Sequence, residues 1–174
     1  MLTAKQFEAI GRVALLFNQI EWACERWYAA ILGVPEMDVA IALSEEGMFT
    51  AKVDRLTKLF SALDKQWPDI KAAVAGAKPL LTEAKALAGE RNRYVHALMI
   101  FDPKTAQTRL RRKKENVPGD LPAIERVGAK AYALDHNLNS ALYSVFLAVE
   151  KARKSKGYHR VQGAEGLGCR FDKF

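Results

Sequence analysis

Apolar residues recur every three or four positions through four long segments, and this helical period limits the chain's possible folds more than any other feature. The periodic segments cover about residues 4–32, 49–67, 80–98 and 122–156. Each has a polar face opposite its apolar stripe, which is typical of a helix packed on neighbours. Four such segments joined by short connections predict an all-α fold, an antiparallel helical bundle.

Capping residues and prolines mark the ends of these segments. Thr3 and Gln6 have the spacing of a capping box at the start of the first helix. Pro68 ends the second helix. Pro79 is expected to separate a weak Ala-rich turn from the third helix, because proline lacks the N–H that a helix interior needs. A short helical piece is also expected at residues 36–43.

The segment between the third and fourth helices has a different pattern. Apolar residues 99–101 are followed by turn residues 102–104 and then by partial alternation, which predicts a small β-hairpin inserted before the last helix. That helix begins at Pro122 and closes at Gly157. We divide the chain into a helical domain, residues 1–157, and a basic, Gly-rich tail, residues 158–174. The tail has no hydrophobic period and is expected to be disordered.

Composition places the chain among soluble globular proteins. It has 174 residues, of which 49% are hydrophobic and 27% charged, as expected of one domain. No stretch is long and apolar enough for a membrane span, and the N-terminus lacks the layout of a signal peptide. The two cysteines match no metal or redox spacing, which indicates a reduced, cytoplasmic setting. The 27 basic residues exceed the 20 acidic ones, and this net charge of +7 favours polyanionic partners.

The most informative short segment is Glu90–His96, near the end of the third helix. At 100° per residue, Arg91 falls in the middle of the apolar face, whereas Asn92 and His96 lie about 40° apart on one flank. A guanidinium that faces a core needs polar partners. Three polar residues on the first helix could supply them: Asn18, Glu21 and Glu25.

This segment resembles the signature of the HEPN superfamily of helical-bundle proteins. That signature is an Arg, a polar residue directly after it, and a His, and here these are Arg91, Asn92 and His96, with four residues between Arg and His. A long first helix with inward polar groups and a hairpin before the last helix are also similar to HEPN proteins. Some family toxins carry a modified Tyr two residues after the His, where this chain has Leu98.

The resemblance implies a metal-independent endoribonuclease without a cofactor. Many HEPN proteins have that activity, often in toxin–antitoxin, phage-defence or CRISPR-linked systems. His96 would be the general base or acid near the ribose 2′-OH, and Arg91 would hold the scissile phosphate. Asn92 would orient the His or a phosphate oxygen. The implied partners are RNA, a second copy that completes a composite site, and an antitoxin protein.

Basic residues near the motif are candidate RNA contacts. They are Arg93, Arg109, Arg111, Arg112, Lys113 and Lys114. Such a cluster would supply salt-dependent affinity that is independent of base sequence. An alternative interpretation is a charged edge strand that prevents sheet-to-sheet aggregation.

Two other functions remain open at this point. The chain could be a non-catalytic RNA- or nucleotide-binding module that uses the same basic groove. It could instead be a structural, dimeric interaction protein in which Arg91 joins helices through a buried Glu and His96 is a surface residue. With three histidines and no paired spacing, the sequence predicts no metal site.

Overall fold

A computed structural model describes residues 2–33, 48–102, 107–112, 115–117, 119–162 and 169–173. Its four long helices are α1 (Ala4–Leu32), α2 (Phe49–Gln66), α3 (Lys71–Val95) and α4 (Leu121–Ser155). Three strands lie between α3 and α4: β1 (Leu98–Asp102), β2 (Gln107–Arg112) and β3 (Glu115–Val117). Two more follow α4: β4 (Tyr158–Gln162) and β5 (Cys169–Lys173). The predicted helical bundle with a β-hairpin before the last helix is confirmed. The helical piece expected at 36–43 lies outside the described residues.

The ends of α1 follow from local chemistry, as the sequence predicts. The Thr3 side chain accepts a hydrogen bond from the backbone N–H of Gln6, whose side chain accepts from the N–H of Thr3 at 2.7 Å. Two backbone donors that the first turn would leave free are thereby satisfied. At the other end Gly33 adopts φ 78°, a left-handed conformation that glycine reaches without steric cost, and the helix stops there.

The break predicted at Pro79 was wrong, because α3 runs through this residue without interruption. Proline cannot donate to the carbonyl of Ala75, but both residues are exposed, so that carbonyl is open to solvent. On the opposite side of the helix, Val74, Ala77 and Leu81 are all buried. These three side chains precede and follow Pro79 in the sequence, and their burial stabilises the continuous helix by more than one lost hydrogen bond costs.

The first and last helices lie side by side and run parallel. The Gln6 side chain, near the start of α1, donates to the carbonyl oxygen of Gly119, just before α4. At the far end, Arg153 of α4 donates to the carbonyl oxygen of Ile31 at 2.6 Å. Contacts between the two starts and between the two ends require parallel axes, so the antiparallel arrangement that the sequence predicts does not hold for this pair of helices.

The neighbours of α3 have the antiparallel packing that the sequence predicts. Lys130, near the start of α4, forms an ion pair at 3.1 Å with Glu90, near the end of α3, and the Arg153 guanidinium, near the end of α4, lies 5.8 Å from the ring of Trp67, just before α3. Lys85, in the second half of α3, forms an ion pair with Asp54, near the start of α2. The hydrophobic core lies between all four helices. Its largest fully buried side chains include Phe17, Ile20, Leu56, Phe60, Ile124, Leu138 and Leu142.

The inserted hairpin is part of a three-stranded antiparallel sheet. Leu98 pairs with Arg111 across β1 and β2, and Leu110 pairs with Val117 across β2 and β3. Leu110 and Val117 are buried in the core cluster, so the sheet is attached to the bundle. The third strand was not predicted.

The expectation of a disordered tail was wrong for its described residues. Strands β4 and β5 pair antiparallel, with Tyr158 opposite Lys173 and Gln162 opposite Cys169. Two strands can pair through their backbone groups without a hydrophobic period in their sequences. For this reason the sequence of the tail did not predict the hairpin of β4 and β5. Among the described helices, none is long and apolar enough to cross a membrane.

Candidate functional site

The candidate site lies where α3 ends and the chain turns into the sheet. Arg91 and Asn92 belong to the last turns of α3, and His96 is its C-terminal capping residue. The backbone N–H of His96 donates to the carbonyl oxygen of Asn92 at 3.3 Å. Because β1 begins at Leu98, the three motif residues sit at a junction of helix and sheet.

Arg91 is half-buried on the inward side of α3, as its position on the helical wheel predicts. Its guanidinium carbon lies 5.4 Å from the centroid of the Phe17 ring on α1. One of its terminal nitrogens donates to Oδ1 of Asn92 at 2.8 Å. Its Nε is buried and has no hydrogen-bond partner in the part of the chain that the structure describes. Within the described residues, no carboxylate forms an ion pair with Arg91, so its charge is held mainly by an aromatic face and an amide oxygen.

The two glutamates expected to support Arg91 bind a different cation. Nζ of Lys52, on α2, lies 2.6 Å from Oε1 of Glu21 and 2.5 Å from Oε1 of Glu25. Lys52 is 8% exposed. Burial alone would lower the pKa of Lys52, but hydrogen bonds and charge from the two carboxylates outweigh burial and raise that pKa. Asn18, the third expected partner, is exposed on α1 and makes no hydrogen bond with Arg91.

Asn92 and His96 are arranged differently from the sequence expectation. Asn92 accepts a hydrogen bond from Arg91 and so orients the guanidinium rather than the imidazole. His96 is exposed, and no hydrogen bond joins its ring to Arg91 or Asn92. The imidazole is therefore open to solvent and to a bound molecule.

The basic residues of β2 approach the motif through the strand register. Arg111 is exposed and pairs across the sheet with Leu98, which follows His96 by two positions. Arg93 is exposed on the last turn of α3, and Arg112 is half-buried. The remaining predicted contacts, namely the side chain of Arg109 and residues Lys113 and Lys114, lie outside the described part of the chain.

Sequence reasoning missed Lys52 and the ring that supports Arg91. Phe17 contacts Phe49 of α2 edge-to-face, with ring centroids 4.7 Å apart, and this contact fixes the ring beneath the guanidinium. Lys52 lies one turn after Phe49 and one turn before Leu56, inside the apolar stripe of its helix. Lys52 therefore lies on the apolar face of its helix, as Arg91 does on α3.

No cluster of three or more metal-ligating side chains occurs in the described ranges. Comparison of the chain with family models, with curated sequences and with solved structures found no match.

Proposed function

We propose that the protein is a metal-independent endoribonuclease of the HEPN type. The observation that carries the proposal is the environment of Arg91, whose guanidinium is oriented by Phe17 and Asn92 but lacks a carboxylate partner within the described residues. A structural arginine this close to a core is normally paired. A guanidinium without a counter-ion is suited to a phosphate, which its planar array of donors can bind in two places.

His96 is the proposed acid–base group. It takes the proton from the ribose 2′-OH, whose oxygen attacks the neighbouring phosphorus and forms the new P–O bond. The bond from phosphorus to the 5′-oxygen breaks, and that oxygen takes up a proton from solvent. Arg91 stabilises the negative charge that develops on the phosphate. The products are a 2′,3′-cyclic phosphate and a 5′-hydroxyl, and DNA is spared because it lacks the nucleophile.

The basic residues beside His96 support an RNA substrate. Arg93 lies within the motif, on the last turn of α3, and Arg111 lies on β2 opposite Leu98; both side chains are exposed. They would contact backbone phosphates and give an affinity that falls with salt concentration. Three further parts of the proposal rest on the resemblance alone: a toxin or phage-defence role, an antitoxin partner and a composite site in a homodimer.

A second candidate is a non-catalytic RNA-binding module, and one observation favours it. No hydrogen bond connects the His96 ring to Arg91 or Asn92. In this alternative Arg91 and the basic residues bind phosphates, but no proton is transferred. The purely structural alternative needs a buried Glu for Arg91, and the two glutamates that could serve are bound to Lys52.

RNA cleavage in the presence of EDTA tests the proposal. The wild type is compared with His96→Ala and with the matched control His136→Ala, which removes another exposed histidine from α4. A second substrate carries 2′-deoxyribose at the cleaved position. We expect EDTA-resistant cleavage with cyclic phosphate ends by wild type and His136→Ala only, and none of the deoxy substrate. Salt-dependent RNA binding without cleavage would select the binding module instead.

A further inference from the structure

Three lysines form a straight row along the surface of α3. Lys71, Lys78 and Lys85 are spaced seven residues apart, which is close to two turns of an α-helix, so they lie on the same side of α3. At about 100° per residue, each of them falls within about 20° of His96, the capping residue of this helix. At about 1.5 Å per residue, Lys71 lies about 38 Å from His96 along the helix axis. The row therefore leads from the far end of α3 to the candidate site.

A second row of lysines runs beside the first, on α2. Asp54, Lys58 and Lys65 share one side of α2, because steps of four and seven residues are close to one and two helical turns. The ion pair between Asp54 and Lys85 of α3 brings the two rows together. A short turn joins the two antiparallel helices, so Lys65 and Lys71 lie at the same end of the pair. We define the lysine track as Lys58, Lys65, Lys71 and Lys78.

The lysine track has positive charge that the described part of the chain does not neutralise. Three of its members are exposed and Lys78 is half-buried. None of the four forms an ion pair with a described residue, although Asp64 and Asp69 are close to Lys65 in sequence. The four ammonium groups are therefore available to a polyanion.

The glutamates of α3 lie on a different side of the helix from the lysine track. Glu83 is about 140° and Glu90 about 120° around the axis from Lys78. Glu90 also faces α4, where it forms an ion pair with Lys130. A surface that served only solubility would have both signs of charge interspersed. On α3 the two signs are separated, and the positive side is the one that leads to His96.

Small uncharged side chains lie next to the row on α3. The exposed positions beside the lysines hold Ala75, Thr82, Ala86 and Gly89. At Gly89 an added Cβ would meet no atom within 4 Å, so the helix surface is open there. Such short side chains allow an extended polymer to lie against the helix while the longer lysines reach its charges.

The residues around the track favour a nucleic-acid backbone over other polyanions. Among the described residues between 49 and 96, no large apolar side chain is exposed. A helix that binds a lipid surface inserts an apolar face, which these positions do not offer. A platform that stacks bases uses exposed aromatic rings, which they do not offer either. Evenly spaced lysines alone fit the evenly spaced phosphates of one strand.

We propose that the lysine track binds the phosphate backbone of single-stranded RNA and guides that strand to the candidate site. The choice of RNA as the polymer rests on the proposed function. A stacked strand with about 3.4 Å per phosphate spans about 38 Å with about 11 nucleotides, so the substrate is a long strand. Because contacts to phosphates carry no sequence information, this part of the binding is independent of base sequence.

RNA binding at different salt concentrations tests the lysine track without a need for cleavage. The probe is a fluorescent 2′-O-methyl oligouridylate of roughly 16 nucleotides, which lacks the 2′-OH that the proposed reaction requires. Fluorescence anisotropy gives its association constant at each salt concentration. Two double variants each remove two charges from one helix. They are Lys71→Gln with Lys78→Gln on α3, and Lys58→Gln with Lys65→Gln on α2.

The matched control is Lys5→Gln with Lys154→Gln, which removes the same charge from exposed positions of α1 and α4. Each phosphate contact of a single strand contributes about 0.7 to the slope of the logarithm of the association constant against the logarithm of salt concentration. Each track variant should therefore reduce the magnitude of that slope by about 1.4, and the control should leave it unchanged. Far-UV circular dichroism verifies that every variant is folded.

A wild type that does not bind the probe would overturn the proposal, as would track variants with the same slope as the control. Cleavage of unmodified RNA of the same length separates this inference from the proposed endoribonuclease. If RNA is cleaved in EDTA but the track variants keep the wild-type slope, the endoribonuclease stands and the track is rejected. If the slope falls as expected but no RNA is cleaved, the track stands and the non-catalytic binding module replaces the endoribonuclease.

Discussion

Lys52 and Arg91 are two cations on the same side of α1 with opposite surroundings. Lys52 is enclosed by the core and bound by Glu21 and Glu25. Arg91 is half-buried, its guanidinium carbon lies 5.4 Å from the centroid of the Phe17 ring, and its buried Nε has no hydrogen-bond partner among the described residues. Helix α1 carries two carboxylates that could have paired with either cation, and both of them bind Lys52.

The difference separates a structural cation from a cation available to a ligand. Lys52 is held between two carboxylates of the protein itself, so we assign its charge to stability and not to the binding of a ligand. Among the described residues, the Arg91 guanidinium donates one hydrogen bond, from a terminal nitrogen to Asn92, which leaves further terminal N–H groups for a ligand. Changes at Lys52 should therefore affect unfolding, whereas changes around Arg91 should affect RNA cleavage.

The largest expected effect is on stability at Lys52. Lys52→Met leaves two partly buried carboxylates without a cation and should lower the free energy of unfolding by about 3–5 kcal/mol. Urea unfolding measures this. In the control Lys85→Met, the lost pair with Asp54 is more exposed, and the loss should be below about 1 kcal/mol. Equal losses in both variants would remove the distinction between a structural and a surface pair.

Alkaline pH should lower the free energy of unfolding through Cys24, a buried thiol near the charges of the Lys52 cluster. Burial, followed by the charges of Glu21 and Glu25, raises the pKa of this thiol from 9.0 to about 12. As the pH rises, the Cys24 thiol ionises in the unfolded chain before it ionises in the folded protein. Its contribution to the free energy of unfolding is therefore complete below pH 9 and is lost as the pH rises toward 12. The stability advantage of wild type over Cys24→Ala should shrink across this interval. Urea unfolding below pH 9 and midway to pH 12 measures the change, and a constant advantage would contradict the burial effect.

The hydrogen bond from Asn92 should matter for cleavage rather than for folding. Asn92→Ala removes the acceptor that orients Arg91, and cleavage should fall by about 10-fold, the equivalent of one charge-assisted hydrogen bond. Asn92→Asp is the informative second variant. It keeps an acceptor but neutralises the guanidinium, so cleavage should also fall while stability rises. Unchanged cleavage in both variants would show that Asn92 does not position Arg91 for catalysis.

The smallest expected effect concerns the ring beneath Arg91. Phe17→Leu keeps the core apolar but removes the aromatic face, and cleavage should fall by about 3-fold, as expected for a cation–π contact of roughly 0.5–1 kcal/mol. The control is Phe60→Leu, a fully buried ring on α2 that loses similar core contacts. If both variants lower cleavage equally, the effect comes from lost packing and not from the ring face.

The helices could be predicted from the sequence because their period and caps are local properties. Thr3, Gln6 and Gly33 determine the ends of α1 through contacts within a few residues. The prediction of a break at Pro79 was wrong, because the side chains buried on the opposite face of α3 decide whether that helix continues. The short strands β3 and β4 have no period and depend on their partners.

The candidate site was only partly predictable for the same reason. The wheel placed Arg91 correctly on the inward face, since that depends on one helix. The assignment of Glu21 and Glu25 to Arg91 was wrong, because tertiary packing decides which helix meets these carboxylates. Only the structure brings Lys52 of α2 to those carboxylates and leaves Phe17 for Arg91.

The measurement that tests the central claim most directly is Arg91→Ala, examined for both RNA cleavage and unfolding in the same preparation. We expect cleavage to fall by about 100-fold or more, the scale of a lost charge-stabilising group, and the free energy of unfolding to change by less than about 1 kcal/mol. It would be contradicted if Arg91→Ala lost as much stability as Lys52→Met while RNA cleavage stayed at the wild-type rate. Arg91 would then be a second structural cation.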